Sequence, residues 1–107
     1  LEQVRTINRE MMRRYGDSPK PVFLGGDLNA EPGSETLRLL ERTWRMLTPT
    51  DGGTYPSDEP EQCIDYLLQL RNGVRCEVTD ARVLRRFGTG DVSRASDHLP
   101  VLLEVRW

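Results

Sequence analysis

Apolar residues at Leu1, Val4, Ile7, Met11 and Tyr15 are spaced three, three, four and four apart. That spacing predicts a helix with one apolar stripe, expected to lie on a sheet. Glu10 and Arg14 sit one turn apart on its wet side, and Gly16-Asp17-Ser18-Pro19 ends it. Residues 21–27, "PVFLGGD", read as a continuous apolar strand buried on both faces. Ser34 is placed to cap a second helix running to Arg42, with Glu35 at its positive end. Leu37, Leu40 and Trp44 form the buried side of that helix, and "WRMLTPT" holds a short strand.

Residues 49–61, rich in Pro, Gly and acids, predict a loop. "CIDYLLQL" and "VRCEVTDARVL" read as strands joined by Asn72-Gly73, a strong hairpin signal. That hairpin would pair Gln69 with Cys76 and set Cys63 opposite Arg82, too far from Cys76 for a disulfide. Two buried thiols are the expectation instead. Residues 85–97 form a second long loop, and "HLPVLLEVRW" closes the chain as a strand, with Pro100 near its start. The order helix, strand, helix, then strands predicts an α/β or α+β class with a mixed sheet.

The length of 107 residues suits one small domain. The hydrophobic fraction of 36% is enough for a core and keeps the chain out of the disordered regime. A net charge of -2 supplies no global field to recruit a polyanion. No apolar run approaches the length of a bilayer span. The chain starts at Leu1, inside the first predicted helix and without a signal-like segment, so a piece of a longer protein is expected. The compartment stays open.

Three polar clusters break the apolar pattern. Asp27, Asn29 and Glu31 follow the first strand, Asp65 interrupts "CIDYLLQL", and Ser96-Asp97-His98 precede the last strand. Each has an ordinary reading. Gly-Asp before a helix is a common turn, a buried Asp can pair with an Arg, and a lone histidine is often structural. A carboxylate inside a buried strand is nevertheless costly unless it is paired or bound to a metal. Together the clusters supply carboxylates, an amide and an imidazole. Hard divalent cations take oxygen ligands, one or two carboxylates sufficing beside water. An imidazole held by a carboxylate is oriented for proton transfer. The inventory fits metal-assisted attack of water on a phosphoester. It fits neither a serine hydrolase, for want of a nucleophile elbow, nor a zinc site, for want of ligands.

"GGDLNAEP", "CIDYLL" and "SDHLPV", in this order and spacing, resemble the three C-terminal signatures of the endonuclease/exonuclease/phosphatase superfamily. "GTYPSDEP" resembles a loop of many bacterial members. The resemblance runs from about residue 20 onwards. It implies that residues 1–107 are the C-terminal half of a four-layer α/β/β/α sandwich, one mixed, mostly antiparallel sheet with two helices. It implies a hydrolase using Mg2+ or Mn2+. By position, Asp27 resembles the aspartate that orients the attacking water near the metal. Asn29 resembles the asparagine on the scissile phosphate, and Asp65 the acid that hydrogen-bonds the catalytic histidine. Asp97 resembles a carboxylate at the metal, and His98 the histidine facing the phosphate. Asp97 and His98 share one site only if the backbone there is irregular, since strand neighbours face opposite ways.

The family's N-terminal half, with its metal-binding glutamate, has no counterpart in these residues. The chain alone is therefore expected to be inactive, and its sheet to self-associate through an uncovered face. A non-catalytic binding or assembly module that keeps the fold is the alternative. The implied substrate is a phosphoester: a small molecule, a lipid headgroup or nucleic acid. Arg85, Arg86, Phe87 and Arg94 could meet nucleic acid, whereas the acidic loop at 51–61 favours a small or lipid-headgroup phosphoester.

Overall fold

Two helices lie against one face of a three-stranded antiparallel sheet, and an antiparallel strand pair forms a second, separate sheet. The computed structural model describes residues 1–58, 61–84, 86–87, 90–91, 98–99 and 101–107. The helices are α1 (Glu2–Tyr15) and α2 (Glu35–Glu41). The strands are β1 (Phe23–Asp27), β2 (Trp44–Met46), β3 (Asp65–Leu70), β4 (Glu77–Val83), β5 (Arg86–Phe87), β6 (Gly90–Asp91) and β7 (Val101–Arg106). The first sheet has the order β1-β3-β2, β4 pairs with β7, and β5 with β6, every ladder antiparallel. The mostly antiparallel pairing is as expected, but among the described residues the strands form separate ladders and not one mixed sheet. The fold is a small α/β domain with two helices.

Alternation along β3 divides its side chains between two faces. Tyr66, Leu68 and Leu70 join Leu37, Leu40, Trp44 and Cys63 in the core under the helices. Asp65, Leu67 and Gln69 therefore face the other way. Full burial of a side chain such as Leu68 or Leu37, each 0% exposed, contributes about 1.5–3 kcal/mol. The second helix forms as predicted, its start fixed by Leu37 N–H donating to Ser34 Oγ at 3.3 Å.

Three further expectations are corrected. β1 is not buried on both faces: Leu24 is half-buried and the other four residues are exposed. It is a sheet edge, and Gly25, Gly26 and Asp27 give it little apolar surface to cover. Helix α1 is rotated from its predicted stripe. Leu1, Ile7 and Tyr15 are exposed, while Val4, Met11 and the buried Asn8 turn inward. Asn8 is satisfied there, donating from Nδ2 to Leu39 O at 3.0 Å and accepting from Trp44 Nε1 at 2.9 Å.

The hairpin between β3 and β4 does not form. β3 is flanked on both edges by β1 and β2, and β4 takes β7 as its partner. The turn at Asn72-Gly73 survives as a crossover between sheets, with Gly73 at φ +84°. Asn72 Nδ2 donates to Tyr15 O at 3.1 Å and Lys20 O at 3.2 Å, binding the turn to the end of α1. The register argument against a disulfide therefore falls, yet both thiols are free and buried, as expected. The sheet face opposite the helices is partly covered among the described residues. Gln69 is buried and Leu67 half-buried.

Candidate functional site at the strand ends

Asp27 and Asp65 are direct cross-strand partners in the antiparallel register of β1 and β3. They lie on the face opposite the helices, each at a strand end. Like charges directly opposite each other destabilise a sheet unless something lies between them. Here it is His98. Its Nδ1 lies 2.8 Å from Asp65 Oδ2, and its Nε2 lies 3.7 Å from Asp27 Oδ2. Nδ1–H donates to Asp65, which fixes the ring's orientation and the tautomer of its neutral form. The Asp65 side chain is 16% exposed and that of Asp27 45%, so the first is embedded and the second faces solvent.

Local backbone chemistry aims Asp27. Asn29 N–H donates to Asp27 Oδ1 at 2.8 Å, closing an Asx turn just beyond the strand. Asn29 itself takes φ +51°, a left-handed conformation that asparagine tolerates better than most residues. Leu28 N–H donates to Ile64 O at 2.9 Å and extends the β1–β3 ladder past the two acids. Gly26, just before Asp27, takes φ +132°, where an L side chain is strained although nothing occupies the space. Gly26→Ala is expected to destabilise the fold by about 1–3 kcal/mol. Urea unfolding of the two proteins measures it, and an unchanged midpoint would contradict the strain.

Two turns secure the walls. The Tyr66 hydroxyl lies 2.6 Å from both Ala30 O and Cys63 O and donates to one at a time, holding the β1–α2 loop to the entry of β3. Burial pushes the Tyr66 phenol well above its ordinary range, so it stays a donor. Burial likewise raises the Cys63 thiol, which fits a packed rather than a reactive cysteine. On the other side, Leu99 N–H donates to Thr54 O at 2.8 Å, and the Tyr55 ring lies 4.7 Å from the His98 ring, tilted by 40°. A cavity of about 270 Å³ opens beside Asp65, lined also by Gly26, Tyr66, Leu67, Leu99 and Val101. A larger cleft, about 780 Å³, lies by Arg45, Cys76 and Arg106 and touches none of these acids.

The structure therefore brings Asp27, Asp65 and His98 together and ties Asn29 to Asp27 through the backbone. Asp97 and Ser96 lie outside the described residues, as do Arg85 and Arg94. Glu31 is exposed in the loop after β1. Sequence reasoning singled out "GTYPSDEP" as a loop but gave Thr54 and Tyr55 no part in the site. The available signal was an aromatic within a Pro- and Gly-rich stretch.

One ligand atom from each of Asp27, Asp65 and His98 falls within 4.8 Å of the others, close enough in principle to share a cation. The donor chemistry divides them. The two ring nitrogens of His98 face different acids, and Asp65 is engaged by Nδ1. Asp27 is the exposed oxygen donor, and it fits a hard divalent cation that keeps most of its waters. Comparison of the chain with protein-family models, curated proteins and solved structures returns no match.

Proposed function

We propose that the chain forms one wall of a divalent-metal-dependent phosphoesterase site, within a parent protein of the endonuclease/exonuclease/phosphatase type. The observation that carries this reading is the embedded Asp65–His98 pair at 2.8 Å beside the exposed Asp27. An imidazole set between an embedded and an exposed carboxylate is oriented on one side and open to a reacting group on the other.

Asp27 would hold Mg2+ or Mn2+, together with Asp97 by resemblance. The bound cation supplies charge stabilisation at a phosphoryl oxygen and an activated water. The chain's own residues do the rest. Asp65 accepts a hydrogen bond from His98 Nδ1–H and keeps the ring from turning. His98 presents Nε2 on the Asp27 side, where it can give a proton to, or hydrogen-bond, a phosphate oxygen. Asp27, braced by the Asn29 N–H, orients the attacking water. Asn29 offers its side-chain amide to the phosphate. The substrate is a phosphodiester or phosphomonoester, and the acidic segment 51–61 favours a small or lipid-headgroup ester over a polyanion.

The test is hydrolysis of small phosphodiesters, phosphomonoesters and DNA by the parent protein, with Mg2+ and with chelator. Metal-dependent turnover that falls in Asp27→Asn supports the reading. Turnover indifferent to both chelator and Asp27→Asn sinks it.

Among the described residues, no helix is long and apolar enough to cross a membrane. Self-association of the 107-residue chain belongs to the same proposal. Phe23, on the face opposite the helices, is 39% exposed beside the half-buried Leu67. Light scattering at high concentration is expected to give a mass above that of the monomer. A clean monomer would contradict it.

A further inference from the structure

The segment Thr54–Tyr55 touches both members of the Asp65–His98 pair through their chain neighbours. Thr54 is 0% exposed, deeper than any residue of the pair. Its hydroxyl accepts from Ile64 N–H at 3.2 Å, immediately before Asp65. Its carbonyl accepts from Leu99 N–H at 2.8 Å, immediately after His98. Asp65 opens β3 of the first sheet, whereas His98 lies ahead of β7, which belongs to the second. Thr54 thus spans the gap between sheets at the level of the pair. Tyr55 follows it, with its ring 4.7 Å from the imidazole.

The segment is itself anchored. Thr54 N–H and Tyr55 N–H both donate to Gln62 O, at 2.8 and 3.1 Å, and Gln62 N–H donates back to Tyr55 O at 2.9 Å. Tyr55 and Gln62 form a bridge that locks the base of the loop to the entry of β3. Its aromatic face is therefore presented from a fixed backbone. A tilted ring at this distance excludes water from one side of the imidazole and narrows its rotation. Removal of water strengthens the hydrogen bond that remains.

From this we infer that Tyr55 is a positioning residue for His98, holding the imidazole against Asp65 while Thr54 sets the spacing of the two backbones. The inference deepens the site proposed above and rests on that reading only for what the imidazole does to substrate. The aromatic face carries the effect, so phenylalanine replaces tyrosine and an aliphatic side chain does not.

His98 is the only histidine in the chain, so its ring signals are assignable without ambiguity. The experiment is nuclear magnetic resonance of the chain at one fixed pH, comparing wild type, Tyr55→Phe and Tyr55→Leu. The Nδ1–H proton of His98 is expected to be visible and protected in wild type and Tyr55→Phe. In Tyr55→Leu it should exchange at least tenfold faster, and the ring nitrogens should shift toward a tautomer mixture. The Trp44 indole N–H, bonded to Asn8 in the core, reports that the fold is intact. Retention of the Nδ1–H signal in a folded Tyr55→Leu would overturn the inference. If Tyr55→Leu unfolds, proton–proton contacts between ring 55 and ring 98 decide: present in wild type and Tyr55→Phe, they support it, and absent they overturn it. No outcome depends on hydrolysis, so failure here is separate from failure of the phosphoesterase reading.

Discussion

Asp65→Asn, assayed in the parent protein, is expected to lower metal-dependent hydrolysis roughly 100- to 10,000-fold, and His98→Ala by a similar factor. The reason lies in what each change leaves behind. Asparagine keeps the shape of Asp65 but loses the charge opposite Nδ1, and it can present an amide N–H where His98 now donates. The ring then loses its enforced tautomer. His98→Ala removes the ring and leaves Asp27 and Asp65 facing each other across the β1–β3 ladder without the group between them. Both variants should keep the fold, because the pair lies on the face away from the core. Circular dichroism and a melting curve check that, and turnover of a small phosphodiester reads the effect. Near-normal turnover in either variant would remove the pair from the chemistry.

Leu68→Ala carries the largest expected effect on stability. Leu68 is 0% exposed at the middle of β3, the strand that pairs with both β1 and β2. It meets Leu24 on one neighbour and Met46 on the other in the ladder register. Both helices pack over this row, and little freedom remains for the site to collapse around the lost methyl groups. The expected loss is about 2–5 kcal/mol, a large share of the roughly 5–15 kcal/mol that holds a domain of this size. Urea unfolding measures it. A loss below about 1 kcal/mol would mean the row is loosely packed. Asp65 stands three residues away on the same strand, so the variant should also loosen the acid pair.

Different features of the chain were legible to different degrees, and the reasons are physical. The second helix was readable because its signals are local: Ser34 caps it, and Leu37 and Leu40 face inward one turn apart. The rotation of α1 was not. Asn8 counts as polar in any periodicity, and only the Trp44 indole and the Leu39 carbonyl make its burial favourable. Asn72-Gly73 gave a strong local turn signal that was correct as a turn and wrong as a hairpin. The side chain of Asn72 is held by carbonyls at Tyr15 and Lys20, more than 50 positions away, and these contacts leave no trace in the local sequence.

The candidate site was legible because acids at strand ends stand out against apolar neighbours. Asp27, Asp65 and His98 were each visible as a break in pattern, and the fold brings all three together. The part played by Tyr55 was not visible, although its loop was. Its contact with His98 depends on a loop folded back through Gln62, and a single aromatic in a Pro- and Gly-rich stretch does not announce its partner.

The measurement that bears most directly on Asp65 acting through His98 is turnover of the double variant Asp65→Asn/His98→Ala beside the two single variants. Residues that work as one unit are strongly non-additive. The double variant is therefore predicted to be no slower than His98→Ala alone, within about threefold. A loss equal to the product of the two single losses would show two independent roles and contradict a shared one.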